Sequence, residues 1–123
     1  MTRLACAAIV AAITLACGNG TLSPGTGLIG EVVRGPVTPV CLPDPPCYAP
    51  FSAHFTVLRD SATVAAFVSD SQGQFVVWLP PGRYTIRPGS DAPIIAPELQ
   101  AKVVDVGATG LSTVHLEFDT GIR

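Results

Sequence analysis

The sequence predicts an all-β protein: a single antiparallel β-sandwich of about seven strands. Three observations carry that expectation. Twelve Gly and twelve Pro among 123 residues leave little room for long helices. From Leu28 onward, short β-prone runs alternate with turn residues, and no window holds a helical period. Within those runs apolar and polar residues alternate with period two, the mark of strands with one buried face. About a hundred residues suffice for one core, so one domain is expected and no second.

Each element follows from the residues in order. The run 28–33 stops at Gly35-Pro36, and a Pro-rich loop then carries Cys41, Pro43, Pro45, Pro46 and Cys47. The run 52–59 sets Ala53, Phe55 and Val57 on one face, and 63–69 is the next strand. Asp70-Ser71-Gln72-Gly73 is a turn whose Asp can accept hydrogen bonds from its own backbone. In 74–79, Phe75, Val77 and Leu79 share a face. Pro80-Pro81-Gly82 sets φ twice and then allows positive φ, a stiff corner between two strands. Tyr84 and Ile86 point inward from 83–88, with Leu79 and Tyr84 opposite each other. Residues 90–97 form an irregular loop. The runs 101–106 and 111–118 close the domain, with Val114, Leu116 and Phe118 inward and His115, Glu117 and Asp119 outward.

Before the domain, Arg3 precedes an uncharged run over 4–16, too short to span a bilayer as a helix but suited to an export signal. It ends Thr14-Leu15-Ala16-Cys17, followed by Gly18-Asn19-Gly20. That order resembles the lipobox of bacterial lipoproteins, in which the Cys becomes the first mature residue and is acylated. Thr14 and Leu15 depart from the residues that family prefers. The alternative is ordinary cleavage after Ala16, with Cys17 an incidental thiol. The resemblance implies a signal peptide over 1–16 that takes Cys6 with it, a lipidated flexible tether over 17–27 and a domain over 28–123. It places the protein on the extracytoplasmic face of a bacterial cell membrane or at the cell surface, held by its lipid. Two or more acyl chains anchor stably where one binds only marginally.

Two motifs in this region are decoys. Asn19-Gly20-Thr21 fits a glycosylation sequon, but behind a bacterial export signal it reads as tether. Gly25-Thr26-Gly27-Leu28-Ile29-Gly30 matches a dinucleotide-binding fingerprint letter for letter. That chemistry needs a strand before the glycines and a helix after them. Here a Ser-Pro linker precedes and the β-branched Val32-Val33 follows, so no nucleotide is expected.

The stretch 70–86, with its polar-Gly turn, Phe75, Leu79-Pro80-Pro81-Gly82, Tyr84 and Ile86, resembles the carboxypeptidase regulatory-like domain. Gly30-x-Val32, Val104-x-Val106 and the end Asp119-x-Gly121-Ile122-Arg123 agree with that frame over 28–123. The resemblance implies a transthyretin-like (prealbumin-type) Greek-key sandwich, and says little of function because such modules serve many contexts.

Candidate sites divide into a staple and a surface cluster. In an exported chain, Cys41 and Cys47 are expected to close a small loop as a disulfide. His115-x-Glu117 sets two potential metal ligands on one face, but that face meets solvent and only His54 remains as a further His, so no metal or other cofactor is expected. No Ser lies in G-x-S-x-G, and no Cys–His pairing is suggested. Some transthyretin-fold relatives hydrolyse a purine-pathway intermediate through a C-terminal Tyr-Arg-Gly-Ser signature. This chain reads Thr120-Gly121-Ile122-Arg123, and the activity is not carried over. A Lys–Asn isopeptide is not expected either, with Asn19 in the tether far from Lys102. With net charge −2 and seven Lys plus Arg, nucleic acid is excluded as a partner.

Trp78, flanked by Arg83 and Arg87, is the remaining cluster. If 74–79 and 83–88 pair as a hairpin, Trp78 faces Thr85 with the two arginines diagonal to it. The indole then either stacks on a ligand or is covered by arginine. Tyr48 and Phe51 either extend that surface or plug the open end of the sandwich. The function expected is a membrane-anchored, non-enzymatic structural or binding module with a protein or glycan ligand. A carbohydrate-binding accessory module using Trp78 is the alternative.

Overall fold

The computed structural model describes residues 25–41 and 47–123. Among them, β1 (Gly27–Gly35), β2 (Ala49–Pro50), β5 (Gln74–Trp78) and β8 (Leu111–Asp119) form one sheet. The other sheet has the order β4-β3-β6-β7, built from β3 (His54–Arg59), β4 (Ala62–Val68), β6 (Gly82–Pro88) and β7 (Lys102–Val106). A short 3-10 turn, Pro97–Leu99, interrupts the connection from β6 to β7. The expected signal peptide, Cys6, Cys17 and most of the expected tether lie outside the described residues.

The all-β sandwich follows the alternation, with three differences. First, β1 and β8 pair in parallel, from Gly27 opposite Leu111 to Gly35 opposite Asp119, so that sheet is mixed rather than purely antiparallel. Because β8 runs the whole length of one edge of β1, β5 and β2 share the other edge. Second, β5 and β6 do not form a hairpin. β5 pairs with β1, while β6 pairs with β3 and β7, so the Pro80-Pro81-Gly82 corner carries the chain from one sheet to the other. Two consecutive prolines supply no N–H for a ladder, and Gly82 turns the chain at φ +148°. Leu79 and Tyr84, each 2% exposed, therefore both enter the core, but from the two facing sheets. Third, packing begins before residue 28. Thr26 is buried, its Oγ1 donating to Leu79 O at 2.7 Å, and Leu79 N donates back to Thr26 O at 3.0 Å.

The sequence's five Phe form one connected aromatic cluster between the sheets. Phe75 on β5 stacks on Phe67 of β4 at 4.2 Å, and Phe67 stacks on Phe55 of β3 at 5.1 Å. Phe55 meets Phe118 of β8 at 5.8 Å, and Phe51 closes edge-on against Phe118 at 5.9 Å. Such pairs add to area burial because ring edges and faces carry opposite partial charge. Phe51 is thus a core residue, whereas Tyr48 stays exposed beside Gly35.

Turns use the chemistry their residues supply. Asp70 Oδ1 accepts from Gln72 N at 2.8 Å and Gln74 N at 2.9 Å, and Gly73 completes the turn at φ +74°. Tyr84 Oη donates to Pro80 O at 2.6 Å and accepts from Arg59 Nη1 at 3.2 Å, tying the corner to β3. Tyr84→Phe should therefore cost about 1 kcal/mol, the net worth of a typical hydrogen bond. An unchanged urea midpoint would show that the corner stands without it.

Cys41 and Cys47 are joined as a disulfide, with Cα atoms 5.1 Å apart. The closure constrains the unfolded chain, which for so short a loop stabilises by about 2 kcal/mol. Cys41→Ser should lower the unfolding free energy by that amount in a urea denaturation, and reductant should then have no further effect. At the other side of this end, Gln100 clips β8: its Nε2 donates to Asp119 O at 2.9 Å and its Oε1 accepts from Asp119 N at 2.7 Å.

Candidate functional site

The outward residues of β5, β1 and β8 fall into rows set by strand register. Trp78, Gly27 and Leu111 make the first row; Val76, Ile29 and Thr113 the second; Gln74, Glu31 and His115 the third. Period-two alternation buries Phe75 and Val77 and turns Val76 and Trp78 outward, so these rows follow directly from the strand pattern. Two glycines hold the three strands close. A Cβ on Gly27 would run into the Val77 carbonyl of β5, and one on Gly30 into the Val114 carbonyl of β8. The Gly25-x-Gly27-x-x-Gly30 pattern thus enters and lies within a strand, where its glycines serve strand approach.

A groove of about 760 Å³ opens on this face, lined by Ile29, Glu31, Val76, Gln74, Thr113 and His115, with Val68 and Asp70 at one wall. Its floor is apolar, and Ile29 and Val76 remain 39% and 46% exposed. Its polar rim is organised around His115. The ring Nδ1 lies 3.2 Å from Glu31 Oε1, and Nε2 lies 3.1 Å from Glu117 Oε2. The rim therefore presents fixed hydrogen-bonding groups of net acidic character beside an apolar floor. Glu31 was not foreseen as part of a site, because its meeting with His115 depends on the β1–β8 pairing, which no local pattern encodes. Among the described residues, no group of three or more His, Cys, Asp or Glu is arranged to hold a metal ion.

The aromatic–arginine cluster is placed differently from the sequence expectation. Trp78 is outward and 52% exposed, but its strand partner is Gly27, not Thr85. Arg83 and Arg87 point outward from the other sheet, so Trp78 and the two arginines occupy opposite outer faces. Arg83 pairs with Asp105 of β7 at 3.0 Å, and Arg87 lies across from Thr56 of β3. The cation–π contacts among the described residues go elsewhere, Arg59 over Tyr84 and Lys102 over Phe118.

His54 marks a separate surface pair. Its Nδ1 lies 2.7 Å from Asp91 Oδ2, and this hydrogen bond holds the Asp91 carboxyl below the usual carboxylate range. A depressed folded pKa stabilises above the unfolded value of about 4, and that stability is lost as pH falls through the lower folded value. Both side chains are largely exposed, so the contribution stays below about 1 kcal/mol. His54→Ala should return the Asp91 carboxyl toward its ordinary titration range by NMR. An unchanged titration would refute the pairing.

Fold and surface together define an all-β sandwich module with one sheet presenting an open, part apolar and part acidic outer face. No protein-family model matches the chain, and no curated protein matches it. Among solved structures it is similar to the Bacillus anthracis TIE protein, at 18% sequence identity and a TM-score of 0.48. That match covers 89% of this chain and 19% of the other.

Proposed function

We propose that the protein is a lipid-anchored, extracytoplasmic, non-enzymatic binding module whose ligand surface is the outer face of β5, β1 and β8. The groove carries this reading. An apolar floor with a few convergent polar groups is the usual construction of a ligand site, and here Ile29 and Val76 lie beside Glu31, Gln74 and His115. The anchor reading rests on Cys17 at the end of an export signal. The Pro80-Pro81-Gly82 corner, tied back by Tyr84 to Pro80, supports grouping the domain with carboxypeptidase regulatory-like modules.

Two experiments test it. In cells making the full chain, the protein should reside in the membrane fraction with an acylated Cys17, and Cys17→Ala should release it or leave it unprocessed. Wild-type protein that is fully soluble with a free Cys17 thiol would overturn the anchor. A photo-crosslinking residue at Val76 should capture the ligand in such cells, while one at Val103, 65% exposed on the opposite face, should not. Equal capture at both positions, or none at either, would overturn the binding face.

A second reading, a carbohydrate-binding accessory module, is favoured by Trp78 being half exposed with no arginine over it among the described residues. It predicts that soluble oligosaccharides quench the emission of this sole tryptophan.

A further inference from the structure

We propose that the first row of this face, Trp78 with Leu111 on either side of Gly27, is a membrane-contact surface, and that the Trp78 indole seats in the interfacial layer of the bilayer. This rests on the lipid-anchor reading of Cys17 and goes beyond it. The tether joins the domain at the start of β1, and strand register sets Trp78 and Leu111 directly beside that point. From Cys17 to Gly27 the chain is Gly-, Ser- and Thr-rich. Ten residue steps separate Cys17 from Gly27, so covalent geometry holds the start of β1 within about 36 Å of an acylated Cys17.

Side-chain chemistry along the face points the same way. The first two rows, Trp78 and Val76 on β5, Gly27 and Ile29 on β1, Leu111 and Thr113 on β8, contain no charge. The carboxylates begin in the third row with Glu31, about 13 Å further along at 3.3 Å per residue. Exposed Pro80 and Pro81 continue the uncharged surface around the corner. Among the described residues, charges of both signs stand at this end: Arg83 pairs with Asp105, and Arg59 is followed by Asp60. With no excess of either sign among these four, attraction to the surface comes from apolar contact. Tryptophan suits the layer where one end of the ring is dry and the other wet. Unlike the five Phe, it has no aromatic neighbour among the described residues.

The test uses the full-length mature protein, purified from membranes in detergent and reconstituted into phosphatidylethanolamine–phosphatidylglycerol vesicles. Some vesicles carry lipid brominated on the acyl chains near the headgroup. Trp78 is the sole tryptophan, so emission reports on that position alone. Brominated vesicles should quench it by about half, as for an indole buried in the headgroup–acyl boundary. In the double variant Trp78→Phe, His115→Trp, the indole moves to the third row and should lose less than about a tenth of its emission. Protein that floats with the vesicles but shows unquenched Trp78, or equal quenching at both positions, overturns the proposal alone. Protein that does not float, with an unmodified Cys17, overturns the anchor reading and this proposal together. Quenching by a soluble chitin or cellulose oligosaccharide, with no effect of brominated lipid, assigns Trp78 to a glycan and likewise overturns it.

Discussion

Phe75→Ala is expected to destabilise the domain by about 3–5 kcal/mol, and Val76→Ala by less than about 1. The two positions are adjacent on β5 and occupy opposite faces of the strand. Phe75 is 5% exposed and stacks at 4.2 Å on Phe67, the link that joins β5 to the aromatic cluster of the opposite sheet. Truncation removes the ring from water-free packing and leaves a cavity that neighbouring strands cannot close. Val76 is 46% exposed on the outer face, where a smaller side chain leaves no void. Domains of this size hold only about 5–15 kcal/mol, so Phe75→Ala removes a large share of the total. Urea denaturation read by far-UV circular dichroism measures both. Comparable midpoints for the two variants would refute the assigned faces, and with them the outward direction of Trp78.

Ser69→Ala is expected to cost about 2–4 kcal/mol, an unusual penalty for losing one hydroxyl. Ser69 is 1% exposed and lies just after β4 where the chain crosses between sheets. Its Oγ donates to Phe51 O at 2.9 Å and accepts from Ala53 N at 3.0 Å, so it bridges two main-chain groups leading into β3. Alanine would leave both without that partner in a place water does not reach, and desolvated polar groups carry the full cost of losing hydration. Ser52→Ala is the control. Its Oγ donates to Ser69 O at 2.7 Å from a partly buried position, and that loss should cost about 1 kcal/mol. If the two variants match, Ser69 is not the bridge its geometry indicates.

Much of this fold is legible along the chain because each strand carries its own burial pattern. Phe75, Val77 and Leu79 announce a buried face through spacing alone, and Pro80-Pro81-Gly82 announces a corner through backbone chemistry. Asp70 was readable for the same reason: its partners lie within four residues. Pairing is another matter. Whether β5 lies beside β6 or crosses to β1 is decided by how both sheets share one core, a global condition to which no single turn testifies. The candidate site suffered accordingly. Trp78 faces outward as its spacing requires, but its strand partner is Gly27, in one row with Leu111, rather than the arginines closest to it in sequence. The His115–Glu31 contact links β8 to β1 and was equally out of reach of local patterns.

The parallel pairing of β1 with β8 bears on when the molecule can fold. Partners along this ladder are 84 residues apart throughout, so the strand that begins the domain waits for the strand that ends it. Long-range pairing of this kind is slow, because loop closure must precede any return in contacts. Until β8 arrives, β1 has one bare edge, and Phe118 is missing from the aromatic cluster that Phe51 and Phe55 complete. A chain emerging from the ribosome therefore cannot complete this sheet or its aromatic core until β8 is made.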